Sequence, residues 1–252
     1  MNNHLTIKSV AICCSENNKL KDFGLKGIEV NKQLMPANLR RRASLTTKMA
    51  VTAATEACKQ ADANPANLPS VFASVGGEIQ VTDALCLALS EHQAAISPTQ
   101  FHNSVHNTTA GYWGILHQCY QATTAIAAVD DTFAMGLLEA WAQLQQQPGE
   151  ILLVCYDELW PDYLAPPMGS YALASALVLS NTTTNKDLYT VTRPAITKNS
   201  LSISPTLNDF TQRSPAASVI PLLMAINNLD ADTVIPLNVN QPQWSTQFGN
   251  TD

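Results

Sequence analysis

The chain has 252 residues, 46% of them hydrophobic and only 13% charged, with a net charge of −6; a typical soluble domain is about 25% charged. The acidic balance argues against a nucleic-acid partner, and no stretch approaches the roughly 18 apolar residues of a membrane span. The length suits one large domain or two small ones.

The charges are unevenly placed. No Lys or Arg falls between Lys59 and Lys186, while eleven acidic residues do. That block offers no lysine nucleophile and no side-chain cation for a phosphate. It reads as a buried core, or as a core that also forms a subunit interface, since interface cores are depleted of charge. The six cysteines are scattered with no CxxC and sit mostly in apolar runs, where cysteine acts as a small hydrophobe. Residues 1–10 lack the basic start and apolar core of a secretion signal. A reducing, cytoplasmic setting is therefore expected.

Residues 5–14 (LTIKSVAICC) predict a first strand, followed by a polar loop over 15–38. Residues 44–61 predict a helix capped by Ser44 or Thr46. A turn-rich connector at 64–69 leads to a short buried strand at 71–76 and a Gly76-Gly77 turn. A helix follows over 78–89, a crossover over 97–101 and a helix with a small-residue face over 106–120. Residues 123–129 predict a buried strand, 132–146 a helix, 150–156 (EILLVCY) a strand and 170–179 a strand beside it. After a polar turn at 181–186 come a strand at 188–192 and a long loop at 199–213. Ser214 caps a helix, with Pro215 at its first position, that runs to about 228. A closing strand spans 233–239, and the last dozen residues look peripheral. Strands alternating with helices argue for a layered α/β sheet.

The stretch SPTQFHNSVHNTTAGYWGILHQCYQATTAIAAVDDTF, residues 97–133, holds three of the five histidines and an apolar strand ending in two aspartates. Several α/β enzymes place a nucleophile at such a strand-to-helix elbow. Here the elbow carries Asp130 and Asp131, as caps of the following helix or as a catalytic carboxylate pair. Adjacent residues in an elbow point apart, which disfavours a shared proton. His102, His106 and His117 lack metal-ligand spacing and read as structural histidines. No histidine follows His117, so a later general-base histidine is excluded. Arg40, Arg41 and Arg42 form a solvated helix start or a contact for an acidic partner. Gly76-Gly77-Glu78 lacks the later glycines and lysine of a phosphate loop. Cys155 has acidic neighbours that disfavour a thiolate. No metal or cofactor is expected.

The segments RRRASLTTKMA, LPSVFASVGGE, SPTQFHNSVHNTTAGYWGI, TTAIAAVDDTFAMGLLEAW and ILLVCYDE resemble the β-ketoacyl synthase N-terminal-like family. They cover roughly residues 36–180, with the tail from 181 to 252 divergent. The small size is similar to the ketosynthase-like subunits of aryl polyene gene clusters, which act as chain-length factors beside a full ketosynthase. The resemblance implies a thiolase-like layered fold, a mixed sheet between helices, in one domain over 1–252 that is truncated relative to full ketosynthases. It puts Asp130 where the family's nucleophilic cysteine stands, and leaves the family's later histidine pair without a counterpart. It implies no catalysis by the chain alone. Its implied partners are an active β-ketoacyl-acyl carrier protein synthase, paired across the 123–129 strand as a heterodimer, and an acyl carrier protein bearing a growing fatty-acid or polyene chain. By position, the interface or tunnel candidates are Gly76, Gly77, Glu78, Phe101, His106, Asn107, Thr124 and Ile126. A free-standing enzyme using Asp130, Asp131, Cys155 or His106 on acyl carriers, or a homodimeric carrier-binding scaffold, are the alternatives.

Overall fold

Strands and helices alternate along the chain as its hydrophobic periodicity dictates. The computed structural model describes residues 3–91, 95–164, 171–182, 189–197, 200–228 and 232–250. Strand β1 is His4–Cys14, followed by α1 at Asn17–Leu20, α2 at Ala37–Arg40 and α3 at Leu45–Gln60. Next come β2 at Ser70–Ala73, α4 at Ile79–Ser90, α5 at Pro98–Asn103, α6 at Thr108–His117 and β3 at Thr123–Ile126. Helix α7 at Thr132–Gln146 leads to β4 at Glu150–Asp157 and β5 at Leu173–Ser180. The chain continues with β6 at Tyr189–Thr192, β7 at Ala195–Ile196, α8 at Pro205–Arg213, α9 at Ile220–Asn228, β8 at Thr233–Pro236 and β9 at Trp244–Asn250.

The strands form one mixed sheet in the order β3-β2-β4-β5-β1-β6-β9-β7, with β8 also pairing β9. β2 is parallel to both β3 and β4, and the remaining pairs are antiparallel. The period-2 alternation of strands builds two cores. Along β4, Ile151, Leu153 and Cys155 enter one, with α7 and α9. Leu152, Val154 and Tyr156 enter the other, with α3 and α6. Small residues on the α3 side of the sheet, such as Ala11, Ala174 and Ala176, let the alanine-rich α3 pack close. On the opposite face, a Cβ on Gly136 of α7 would meet the Ala73 Cβ at 2.9 Å, so only glycine lets that helix approach β2.

The central elements agree with the sequence expectation, and α7 agrees to the residue. Ser44 caps α3, accepting from the Thr47 amide at 2.9 Å. Five expectations are corrected. The strand expected at 123–129 ends at Ile126 and is the sheet's partly exposed edge rather than a buried strand. The 97–101 crossover is helical, and so is part of the supposed loop at 199–213, because Ser97-Pro98 and Ser204-Pro205 each start a helix. The helix from Ser214 begins as a 3-10 turn at Pro215–Val219. The end of the chain is not peripheral: β9 pairs with β6, β7 and β8, and its Phe248 is fully buried against Tyr189. The polar turn expected at 181–186 falls mostly outside the described residues, as does His92.

Candidate functional site

The three parallel strands end on the same side of the sheet, where α/β proteins place their sites. The turn after β2, the elbow after β3 and the end of β4 converge there. At the first, Gly77 has φ +55, and a Cβ on it would lie 3.1 Å from the His106 ring. The position therefore needs glycine on both counts. His106 Nε2 donates to the Ser74 carbonyl at 2.8 Å. The turn and the α5–α6 connection are thereby locked together.

Beneath them lie three buried carboxyls. Asp157 Oδ1 accepts from Ser74 Oγ at 2.9 Å, Val75 N at 2.9 Å and Gly76 N at 3.0 Å. Its Oδ2 is buried with no hydrogen-bond partner. Glu158 accepts from Gln80 N at 2.9 Å and Thr46 Oγ1 at 3.2 Å. Glu78 Oε1 accepts from Ser44 Oγ, Thr47 Oγ1 and Thr109 Oγ1 at 3.0, 2.5 and 3.3 Å. Burial pushes Asp157 and Glu158 up to about 7, outweighing the hydrogen bonds that favour their ionised forms, and it raises Glu78 as well. Buried hydroxyls and amides thus hold an acidic cluster whose carboxyls all bind protons more tightly than free ones, with no cation of the described residues within the cluster. Among the described residues, no group of three or more His, Cys, Asp and Glu is arranged to hold a metal.

The elbow differs from its expected chemistry. Asp131 occupies the N-cap position of α7 but makes no side-chain cap bond. Thr132 Oγ1 does the local work, accepting from Ala128 N and donating to the Val129 carbonyl at 3.0 and 2.7 Å. Asp131 instead accepts from Asn238 Nδ2 at 2.6 Å and Trp244 Nε1 at 3.2 Å, and Asp130 accepts from Asn240 Nδ2 at 2.6 Å. The pair clamps the turn between β8 and β9 over the elbow. The strained residue is Val129, with φ +49 and 65% exposure. Left-handed backbone at a β-branched residue costs on the order of 1–3 kcal/mol.

The structure gathers Gly76, Gly77, Glu78 and His106 into one turn network. Phe101 is 66% exposed on α5, and Asn107 is exposed at the start of α6. Thr124 and Ile126 face the other way, toward α7: Gln143 Nε2 donates to Thr124 Oγ1 at 3.0 Å, and Ile126 packs on the α7-side core. Their neighbours Thr123 and Ala125 face α6, lining a groove of about 580 Å3 with His106 and Ala110. Cys155 lies fully buried in β4, its thiol pushed well above the ordinary range by burial, while Asp130 is on the surface. These two groups do not share a pocket. Sequence reasoning missed Asp157, Glu158, Thr46, Thr47 and Thr109. The readable signal was a pair of acids closing an apolar strand in a block without cations.

An open mixed sheet between helices, with an elbow and a paired turn at the ends of its parallel strands, is the thiolase-type architecture of ketosynthases. The sequence matches the family model of the β-ketoacyl synthase N-terminal domain over residues 16–245, and the chain belongs to that family. Among solved structures it is similar to the ketosynthase ApeO in complex with its chain length factor ApeC from Xenorhabdus doucetiae. That match has a TM-score of 0.70 and 18% identity, covering 96% of this chain and 98% of the matched one. A β-ketoacyl synthase from Burkholderia phymatum gives a TM-score of 0.55 at 12% identity, over 71% of this chain and 59% of that one. The ishigamide ketosynthase/chain length factor gives 0.58 at 14% identity, over 74% and 65%. A comparison with curated proteins finds no match. No helix among the described residues is long and apolar enough to cross a membrane.

Proposed function

We propose that this protein is a non-catalytic ketosynthase-like subunit, a chain-length factor. It heterodimerises with an active β-ketoacyl-acyl carrier protein synthase in the cytoplasm and limits the fatty-acid or aryl-polyene chain that the pair builds. The observation that carries the reading is the elbow. Whether the nucleophile position is counted as Asp130 by sequence or as the strained Val129 by geometry, it offers no thiol. The adjoining carboxylates are engaged by Asn238, Asn240 and Trp244. Two of the similar structures are described as ketosynthases with chain length factors, and the first is matched over 98% of a chain of like size. The open edge of β3 gives the partner a strand to pair with. Arg40, Arg41 and Arg42 offer a basic contact for an acidic carrier protein.

Co-expression with a ketosynthase encoded beside it tests this. A heterodimer that condenses malonyl units, together with an isolated chain that does not, is the expected result. Asp130→Asn should leave the pair's activity unchanged, because the surface carboxylate performs no chemistry. A clean monomer in the presence of the ketosynthase, or condensation by this chain alone, would sink the reading.

A further inference from the structure

Helix α6 separates two hollows that share Asn107 and Gly111. One is the groove beside β3. The other is a crevice of about 430 Å3 on the side facing α5 and Arg42, within the size range of small-molecule sites. Thr108, Gly111, Tyr112 and Ile115 line it from one face of α6, as their i, i+3, i+4, i+7 spacing requires. Gly111 leaves room where a side chain would stand: a Cβ added to it would meet nothing within 4 Å. Glycine inside a helix is destabilising relative to alanine, so here it keeps a space open without relieving any clash.

The walls are of two kinds. Leu39, Val105 and Ile115 make an apolar side, with Val105 and Ile115 about half to two-thirds exposed at the rim. Arg42 and His102 supply the polar side, and no carboxylate lines the crevice. Arg42 belongs to a group of five cations, with Lys32, Arg40, Arg41 and Lys48, none of which has a carboxylate within 4.0 Å among the described residues. The polar floor is fixed: Asn103 Nδ2 donates to the Arg42 carbonyl at 2.9 Å, Thr108 Oγ1 donates to the Asn103 carbonyl at 3.0 Å, and Tyr112 OH reaches Asn103 Oδ1 at 3.4 Å. A cationic end, an apolar wall and a rigid floor together describe a complement to one kind of molecule.

We propose that this crevice binds an amphipathic anion, its carboxylate or phosphate head at Arg42 and His102 and its alkyl chain along Leu39, Val105 and Ile115 over Gly111. All the lining residues belong to this chain, so the site is testable without a partner subunit and stands whether or not the chain-length role does. Uncompensated cations attract the head, and desolvation of the alkyl chain supplies the rest of the affinity.

Isothermal titration with decanoate, decyl phosphate, methyl decanoate and decyltrimethylammonium tests the proposal on the full chain. One-to-one binding of at least one of the two anions is expected, with the ester and the cation at least about tenfold weaker. Preference between decanoate and decyl phosphate identifies the natural head group. Arg42→Gln should weaken the anion about tenfold or more. Gly111→Leu should abolish binding with the melting temperature maintained, because the new side chain enters open space. Failure of both anions to bind, equal binding of the ester, or binding that survives either substitution overturns the proposal.

Discussion

Asp157 shows how a single side chain ties the turn after β2 to the end of β4. Three donors converge on one oxygen, which favours the ionised form, while the other oxygen is buried and unpaired, and burial prevails. The ordinary values of Asp157 and Glu158 are 3.8 and 4.5, and both rise to about 7 in the fold. The folded state therefore holds these protons more tightly than the unfolded chain. Their contribution to stability is fully present below about pH 4 and is lost as pH rises through about 7. Urea unfolding should show stability falling across that window by on the order of a few kcal/mol. Asp157→Asn copies the protonated form, since its Oδ1 can accept the same three bonds. Its urea midpoint should exceed that of the native chain near pH 8 and match it near pH 5; an unchanged pH slope in the variant would show that Asp157 does not hold this proton. Sequence reading found the Gly76-Gly77-Glu78 side of this cluster but not the β4 side. Ser74 and Asp157 are 83 residues apart, and nothing local in an apolar strand says which distant hydroxyl will meet the acid that ends it.

Among the elements, β3 carries the proposed assembly. It is joined to the sheet on one side only, with the Ser70 and Ser74 amides donating to the Ala122 and Ile126 carbonyls. The period-2 alternation of a strand then turns the amides and carbonyls of Thr123 and Ala125 toward the open edge. Ala125→Pro removes one outward donor and leaves the β2 ladder intact, and edge strands tolerate proline for that reason. The expected outcome is a folded chain, with native circular dichroism, that no longer co-purifies with its ketosynthase. A complex of undiminished yield would exclude β3 from the interface. Periodicity and capping made most elements legible, including α3 from Ser44 and α7 between its neighbouring strands. The edge position of β3 followed only from the family resemblance, because a short apolar run reads as buried whether a sheet or another subunit is to cover it. The Ser-Pro helix start was read at Ser214 and passed over at Ser97 and Ser204. Those two use their hydroxyls as caps, whereas the Ser214 hydroxyl is buried without a partner. β9 was missed because WSTQFGN is mostly polar. Its place depends on Phe248 and on Asp130 and Asp131, far away in sequence.

At the scale of the whole molecule, cations and apolar surface are segregated. Five cations without an ion pair among the described residues lie between residues 32 and 48, and residues 60–185 contain no Lys or Arg. Within that second block Leu87, Leu89, Phe101 and Tyr120 are all exposed, and α4, apolar around most of its circumference, buries only Leu85. A helix of that composition is ordinarily covered, and under the proposed heterodimer this cation-free apolar face and the open strand edge form the interface core. The two faces should therefore differ in their response to salt. Raising ionic strength from about 0.05 to about 0.5 M shortens the Debye length severalfold and weakens exposed charge contacts, so an anion at Arg42 should bind markedly less well. Burial of apolar surface and strand pairing carry no such dependence. The dissociation constant of the ketosynthase complex, measured by sedimentation at both salt concentrations, should change by less than about threefold. Its association enthalpy should fall with temperature, the negative heat-capacity change of apolar burial. A loss of affinity greater than about tenfold in high salt would place the partner on the cationic face instead and leave the apolar one without a role.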